Sequence, residues 1–207
     1  MVKSRPYVIL SAAITLDGKL GVKNKRTKLS SKNDKIRVHK LRSEVDAIII
    51  GKNTVELDNP LLTVRHVKGK NPVRIILDSL GTIKSNSKII QTCNKVPTII
   101  AVSESISNKN LKRLQEYPLE IIYCGKTSVN ISKLLSTLSR NGIKKIILEG
   151  GGTVNWSFIK QNLIDLIDAK KIYDHRKETF YILDDKIVGE SVNSKINKLI
   201  LNLKKNK

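Results

Sequence analysis

Leu148-Glu149-Gly150-Gly151-Gly152-Thr153-Val154-Asn155-Trp156 is the stretch on which the reading of this chain turns. Ile146, Ile147 and Leu148 form a short apolar run that reads as a buried strand. A carboxylate and three glycines end it. A helical pattern follows at once, with Val154, Phe158, Ile159, Leu163 and Ile164 as its apolar face. Strand, glycine turn and helix together let a backbone approach a phosphate closely. Glycine has no Cβ to block the ligand, and the first helical N–H groups carry partial positive charge. The unit is neither GxGxxG nor GxxxxGK[ST], so a tight connection whose glycines merely permit the turn competes with the phosphate reading.

Working outward, strands and helices alternate. Residues 7–14 read as a first buried strand, and Ser30 to Asp34 offer N-caps for a helix running to about Ser43, with Ile36, Val38 and Leu41 as its apolar stripe. Apolar strands are predicted at 45–50, 73–78, 97–102, 119–123 and 144–148. A short helix or turn is expected at 53–57, and helices near 108–116 and over 131–141, the last closed by Gly142. This order predicts an α/β fold with a mostly parallel sheet covered on both faces.

A chain of 207 residues buries a proper core as one domain, and 40% hydrophobic with 28% charged residues is ordinary for a soluble globular protein. No stretch approaches the roughly 20 apolar residues of a membrane span, so no membrane partner is expected. The basic start before Tyr7–Ala13 resembles a signal peptide only superficially, and a cytoplasmic location is expected. Cys93 and Cys124 lie far apart without CxxC partners and read as free buried thiols; with three histidines they make no zinc quartet, so no metal is expected. The net charge of +21 admits nucleic-acid binding, attraction of small phosphorylated anions, or a general bias toward Lys, Asn and Ile. The lysines are scattered and aromatics are only 4%, so bias ranks first, anion attraction second and nucleic acid third.

Six blocks carry a resemblance: Thr15-Leu16-Asp17-Gly18-Lys19; Arg42; Gly51 with Thr54-Val55 and Asp58-Asn59-Pro60; Leu62-Thr63-Val64-Arg65; Pro72-Val73-Arg74-Ile75 with Asp78-Ser79; and Glu149-Gly150-Gly151-Gly152. In this order, across about residues 6–168, the chain resembles the riboflavin-biosynthesis reductases, a dihydrofolate-reductase-like group, and matches best its stand-alone archaeal form. The resemblance implies a dihydrofolate-reductase-like central sheet flanked by helices. It also implies NADPH as cofactor, a homodimer, and reduction of the ribosyl chain of 2,5-diamino-6-ribosylamino-4(3H)-pyrimidinone 5′-phosphate to a ribityl chain. Such chemistry needs alignment of a cofactor hydride with C1′ more than an exotic nucleophile. The alternatives are reduction of the deaminated 5-amino-6-(5-phosphoribosylamino)uracil, and a basic nucleic-acid-binding protein.

Site residues follow from the resemblance. Lys19 matches a substrate-contacting lysine able to polarise the C1′ centre. Arg42 and Arg65 match arginines for the substrate, Arg42 for its phosphate, a task suited to a planar fork. Leu62 matches a residue whose main chain touches the substrate, and Glu149 a glutamate that accepts hydrogen bonds from the aminopyrimidine. Lys19 and Glu149 are the catalytic candidates. Ala13, Thr54, Asp58, Ser79, Gly151, Gly152 and Thr153 match the cofactor side, the last three cradling its pyrophosphate. Thr54 and Asp58 lie one helical turn apart and share a face; turn chemistry before Pro60 is their competing role. Ser79 ends a strand, where open α/β sheets bind ligands. Arg74 and Lys84 could favour a 2′-phosphate, but nothing in the sequence places them there, and NADPH over NADH follows from the resemblance alone. His66 is passed over as a proton donor, because the family offers no match for it.

The match fades after Asp168. Residues 1–168 are read as the reductase domain and 169–207 as a divergent C-terminal segment that completes the same domain or stands apart from it. Gly189 is the only glycine beyond Gly152, where the family continues through a Gly-Gly loop. Two explanations stay open: a divergent ending with strands at Phe180–Leu183 and Leu199–Leu203, or a reading-frame change in the encoding gene.

Overall fold

The computed structural model describes residues 5–12, 14–15, 32–168, 172–174, 179–181 and 187–188. Its elements in chain order are β1 (Tyr7–Ser11), β2 (Ile14–Thr15), α1 (Lys32–Ser43), β3 (Ala47–Gly51), α2 (Lys52–Asp58), β4 (Val73–Leu77), α3 (Lys88–Gln91), β5 (Thr98–Val102), α4 (Asn108–Gln115), β6 (Glu120–Tyr123), α5 (Ile131–Arg140), β7 (Lys145–Gly150), α6 (Gly152–Lys160), β8 (Leu166–Asp168), β9 (Ile172–Asp174), β10 (Thr179–Tyr181) and β11 (Ile187–Val188).

Seven parallel strands form the main sheet in the order β8-β1-β7-β3-β4-β5-β6, and β11 adds an antiparallel strand beside β8. The α/β expectation is met. The central strands are apolar at almost every position because helices cover both faces. Ala47, Ile49, Ile146 and Leu148 face a cluster with Phe158, Leu134 and Leu138 of α6 and α5. Ile48, Ile50 and Ile147 face a second cluster with Val55, Leu114 and Ile89, against which Leu41 of α1 packs. β7 returns the chain to the middle of the sheet, between β1 and β3. The glycine turn that ends β7 therefore sits at the centre of the sheet's carboxyl edge, where parallel sheets take ligands.

Two helix ends are closed as their sequences require. Gly142 adopts φ +83°, and Ile143 N–H donates to Leu138 O at 3.0 Å while Gly142 N–H donates to Ser139 O at 3.1 Å. At the end of α6, Asn162 takes the same left-handed role at φ +54°, with Leu163 N–H donating to Phe158 O at 3.0 Å. Leu163 and Ile164 were expected on the α6 face. They lie beyond this turn and reach the same core from outside the helix.

Other expectations change. The strand predicted over 7–14 divides: Tyr7–Ser11 stays in the main sheet, and Ile14–Thr15 pairs in parallel with β9 in a separate three-stranded sheet. The strand expected at Phe180–Leu183 is β10, Thr179–Tyr181; the one at Leu199–Leu203 lies outside the described residues. Neither α3 nor β8 has enough periodicity to be read from sequence. On α1 the apolar stripe does not define the buried face. Ile36 is 40% exposed, whereas Asp34, His39 and Arg42 are all under 10% exposed. A helix burying polar side chains needs partners for them, and these lie at the carboxyl edge of the sheet.

Among the described residues no helix is long and apolar enough to cross a membrane, and no group of three His, Cys, Asp or Glu side chains is disposed to hold a metal ion. Cys93 and Cys124 are both free and buried.

Candidate active site

The site begins with a backbone irregularity in β7. Against β3, Ile49 pairs with Leu148 but Ile50 pairs with Gly150, so Glu149 is the extra residue of a β-bulge. A bulge re-aims the side chain it carries. Glu149 turns to α1 and meets Arg42 in a two-pronged ion pair: Nε donates to Oε1 and Nη2 to Oε2, both at 2.7 Å. The side chains are only 10% and 15% exposed. Burial alone would lower the Arg42 pKa, but the charge and hydrogen bonds of Glu149 outweigh it and leave it raised. The remaining arm of the guanidinium, Nη1, donates to Thr63 O at 3.1 Å.

That contact ties α1 to residues 61–66. Leu62 holds a left-handed backbone at φ +54° with its side chain 2% exposed, a costly conformation for a leucine that burial in the second core cluster stabilises. Val64 N–H donates to Asn71 Oδ1 at 2.8 Å, and Arg65 N–H donates to Nδ1 of His39 at 2.8 Å. Arg65 extends into solvent and donates from Nη1 to Thr63 Oγ1 at 2.8 Å. Among the described residues it pairs with no carboxylate. Partial burial and the neighbouring Arg42 charge lower its pKa. A cation so placed attracts an anion. The His39 ring meets that of His66 edge-on at 4.5 Å. Burial first, then Arg42, Arg65 and His66, push the His39 pKa down to about 4, so the imidazole is neutral at pH 7.

On the other side of Glu149 lies the glycine turn. Gly150 and Gly151 have φ +86° and +52°. A Cβ on Gly151 would stand 2.7 Å from Thr54 Oγ1, and one on Gly150 would stand 2.6 Å from Asn155 Oδ1. Thr54 Oγ1 donates to Gly150 O at 3.3 Å, which joins α2 to the turn. A Cβ on Gly51 would meet Val154 at 2.8 Å, so the starts of α2 and α6 are packed side by side. Gly152 and Thr153 are exposed, leaving the first turn of α6 open to solvent. Asn155 is 4% exposed, and its Oδ1 accepts no hydrogen bond.

Thus Arg42, Leu62, Arg65, Glu149, Thr54, Gly151, Gly152 and Thr153 gather at one edge of the sheet, with Asp58 half-buried at the end of α2. Ser79 lies two residues beyond β4, farther along that edge, and its hydroxyl already accepts from Val129 N–H at 3.0 Å. Ala13 and Lys19 lie outside the described residues.

Arg74 is a correction. It is wholly buried, and donates to Thr98 Oγ1, Thr92 Oγ1 and the carbonyls of Leu61, Ile89 and Val96. Burial pushes its pKa down to about 10. It holds the fold and has no access to a 2′-phosphate. His39 and Asn155 were missed, although His39 stands one helical turn before Arg42 and Asn155 lies inside the decisive stretch.

The model of the RibD C-terminal domain matches residues 6–169. The 2,5-diamino-6-ribosylamino-4(3H)-pyrimidinone 5′-phosphate reductase of Aquifex aeolicus is 39% identical over 168 residues, covering 79% of this chain and 75% of that protein. The protein of the same name from Methanothermobacter thermautotrophicus is 40% identical over 164 residues, covering 78% and 74%. Among solved structures, the Thermotoga maritima diaminohydroxyphosphoribosylaminopyrimidine deaminase/5-amino-6-(5-phosphoribosylamino)uracil reductase superposes with a TM-score of 0.64 at 28% identity. The match covers 80% of this chain but only 44% of that longer one. The riboflavin biosynthesis reductase Rib7 of Saccharomyces cerevisiae gives 0.65 at 22% identity over 84% of this chain and 75% of its own, a likeness of fold alone. The expected dihydrofolate-reductase-like fold is borne out, and the chain belongs to the RibD C-terminal domain family.

Proposed function

We propose that the chain reduces the ribosyl chain of 2,5-diamino-6-ribosylamino-4(3H)-pyrimidinone 5′-phosphate to its ribityl form with NADPH, a step of riboflavin synthesis. The observation that carries this reading is the bulge at Glu149, which sets a carboxylate held by Arg42 at the same edge of the sheet as an open helix start and the exposed Arg65, which pairs with no carboxylate among the described residues. Recognition of the substrate falls to Glu149, whose oxygens have acceptor capacity beyond the two bonds from Arg42 and suit the amino groups of a pyrimidine. The 5′-phosphate falls to Arg65 in place of Arg42, because the Arg42 guanidinium already donates to both Glu149 oxygens and to the Thr63 carbonyl. The backbone of Leu62 borders the sugar, and Lys19 acts at C1′ on the strength of the family match.

Residues present fit a dinucleotide. The first turn of α6 is open and Asn155 holds a buried carbonyl without a donor, while the absence of a Cβ at Gly150 and Gly151 makes room for the side chains of Asn155 and Thr54. Gly151, Gly152 and Thr153 would hold the pyrophosphate, with Thr54, Asp58, Ser79 and Ala13 along the rest of the cofactor. NADPH, when bound, supplies the hydride. The chain's own contribution is orientation of C1′ toward it and a dry, charged floor made by the Arg42–Glu149 pair.

A cytoplasmic homodimer completes the reading, with 1–168 as the reductase domain. Pairing of β11 with β8 supports counting 169–207 as part of that same domain. The test is loss of NADPH absorbance with the diaminopyrimidine and with its deaminated analogue at equal concentration, repeated with NADH. Faster oxidation with the diaminopyrimidine and NADPH is expected. A preference for the analogue would move the substrate one step along, and oxidation with neither would reject the assignment. Tight DNA binding that collapses with salt would then favour the nucleic-acid alternative.

A further inference from the structure

We infer that His39 is a positioning residue for substrate binding: its buried imidazole, through a hydrogen bond accepted from the Arg65 main chain, sets the direction in which the Arg65 guanidinium meets an anion. Three consecutive residues of the segment are anchored from three sides. Arg42 binds the carbonyl of Thr63 at 3.1 Å, Asn71 accepts from Val64 N–H at 2.8 Å, and His39 Nδ1 accepts from Arg65 N–H at 2.8 Å. His39 and Arg42 stand one turn apart on α1, so one rigid helix grips the segment at two points. The grip on Arg65 itself comes from His39. Because Nδ1 is the acceptor, the ring proton must sit on Nε2, and only the neutral ring serves. A cation at this place would face Arg42 and Arg65 and would turn the acceptor into a second donor. The flanking Leu62, with φ +54°, carries strain that these anchors hold in place.

The role rests on Arg65 being the phosphate-reading side chain, as proposed above. Asparagine places its amide oxygen near the position of Nδ1, whereas glutamine reaches the position of Nε2. The decisive comparison is therefore His39→Asn against His39→Gln and His39→Leu, in the full chain, using ribose 5-phosphate binding by calorimetry and steady-state kinetics. Thermal unfolding of each variant identifies any that fails to fold. His39→Gln and His39→Leu are expected to weaken ribose 5-phosphate binding by about tenfold, the scale of one lost hydrogen bond. They should raise the KM of the pyrimidine while leaving that of NADPH unchanged, and His39→Asn should restore both. Equal binding by all folded variants, or no ribose 5-phosphate binding by the parent chain, overturns the role. If the parent binds ribose 5-phosphate with this pattern yet oxidises NADPH with neither pyrimidine, the positioning role stands and the proposed substrate fails.

Discussion

The Arg42 guanidinium and the Glu149 carboxylate meet edge to edge through two hydrogen bonds of 2.7 Å, across 107 residues of sequence. Two side chains that the family resemblance assigns separately to the substrate are thus one unit. Removing either partner leaves a largely buried charge without its counterion. Arg42→Met and Glu149→Leu should each cost about 3 kcal/mol in urea unfolding. The double variant should recover much of that loss while staying inactive. Additive losses in the double variant would mean that the pair is not coupled in solution.

Arg65→Ala tests the anion site with little structural cost, because the side chain is exposed. The pyrimidine KM should rise at least about tenfold, the scale of a lost charge-assisted hydrogen bond, with the NADPH KM and the melting temperature nearly unchanged. Equal effects on both Michaelis constants would remove Arg65 from its phosphate role.

Gly151→Ala places a methyl group 2.7 Å from Thr54 Oγ1 at a backbone with φ 52° and ψ 154°. Both the contact and the conformation are unfavourable, together about 1–3 kcal/mol of stability. NADPH affinity, followed by fluorescence titration, should fall more than ribose 5-phosphate affinity. Thr54→Ala in the same chain should relieve the contact but not the backbone strain. Undiminished NADPH binding by Gly151→Ala would argue against a pyrophosphate at this turn.

Acid should destabilise the protein partly through His39. Its pKa is about 4 in the folded chain against 6.5 for the free side chain. Above pH 6.5 neither state holds the proton. As pH falls below that value the unfolded chain takes it up first, so stability is lost progressively. The loss levels off near pH 4, where the folded form is protonated too, at up to about 3 kcal/mol. His39→Asn should lack this component. A stability difference between the two proteins that stays flat from pH 7 to about 4 would contradict a buried neutral imidazole.

Arg74→Leu strips the donors from three carbonyls and two hydroxyls inside the core, a loss of more than about 3 kcal/mol. Chemical denaturation would measure it. Where enough folded protein survives, as with Arg74→Lys, the ratio of NADPH to NADH activity should match the parent. A shift toward NADH would restore a cofactor role that its burial rules out here.

Much was legible because it is local. Each of the runs at 45–50, 73–78 and 97–102 holds at least three consecutive apolar residues (Ala47–Ile50, Ile75–Leu77 and Ile99–Val102), the pattern of strands buried on both faces. Gly142 stands where a helix must end. The Glu149-Gly150-Gly151-Gly152 turn announces a strand-to-helix junction through composition alone. What escaped was long-range. The polar inner face of α1 looks like noise in an apolar stripe until the segment 61–66 and the end of β7 come up against it. Arg74 looks like a surface cation until β5 and α3 enclose it.

By itself, then, the order of residues determined the alternation of strands and helices and the glycine turn, because each depends on neighbours within a few positions, and it determined the family through six short blocks that keep their order along the chain. Tertiary structure alone decided that Glu149 bulges toward Arg42, that His39 holds the Arg65 main chain, and that the Arg65 side chain extends into solvent. Those outcomes depend on which elements meet at the sheet's carboxyl edge, and that meeting is set by packing across the whole domain, which no local spacing encodes.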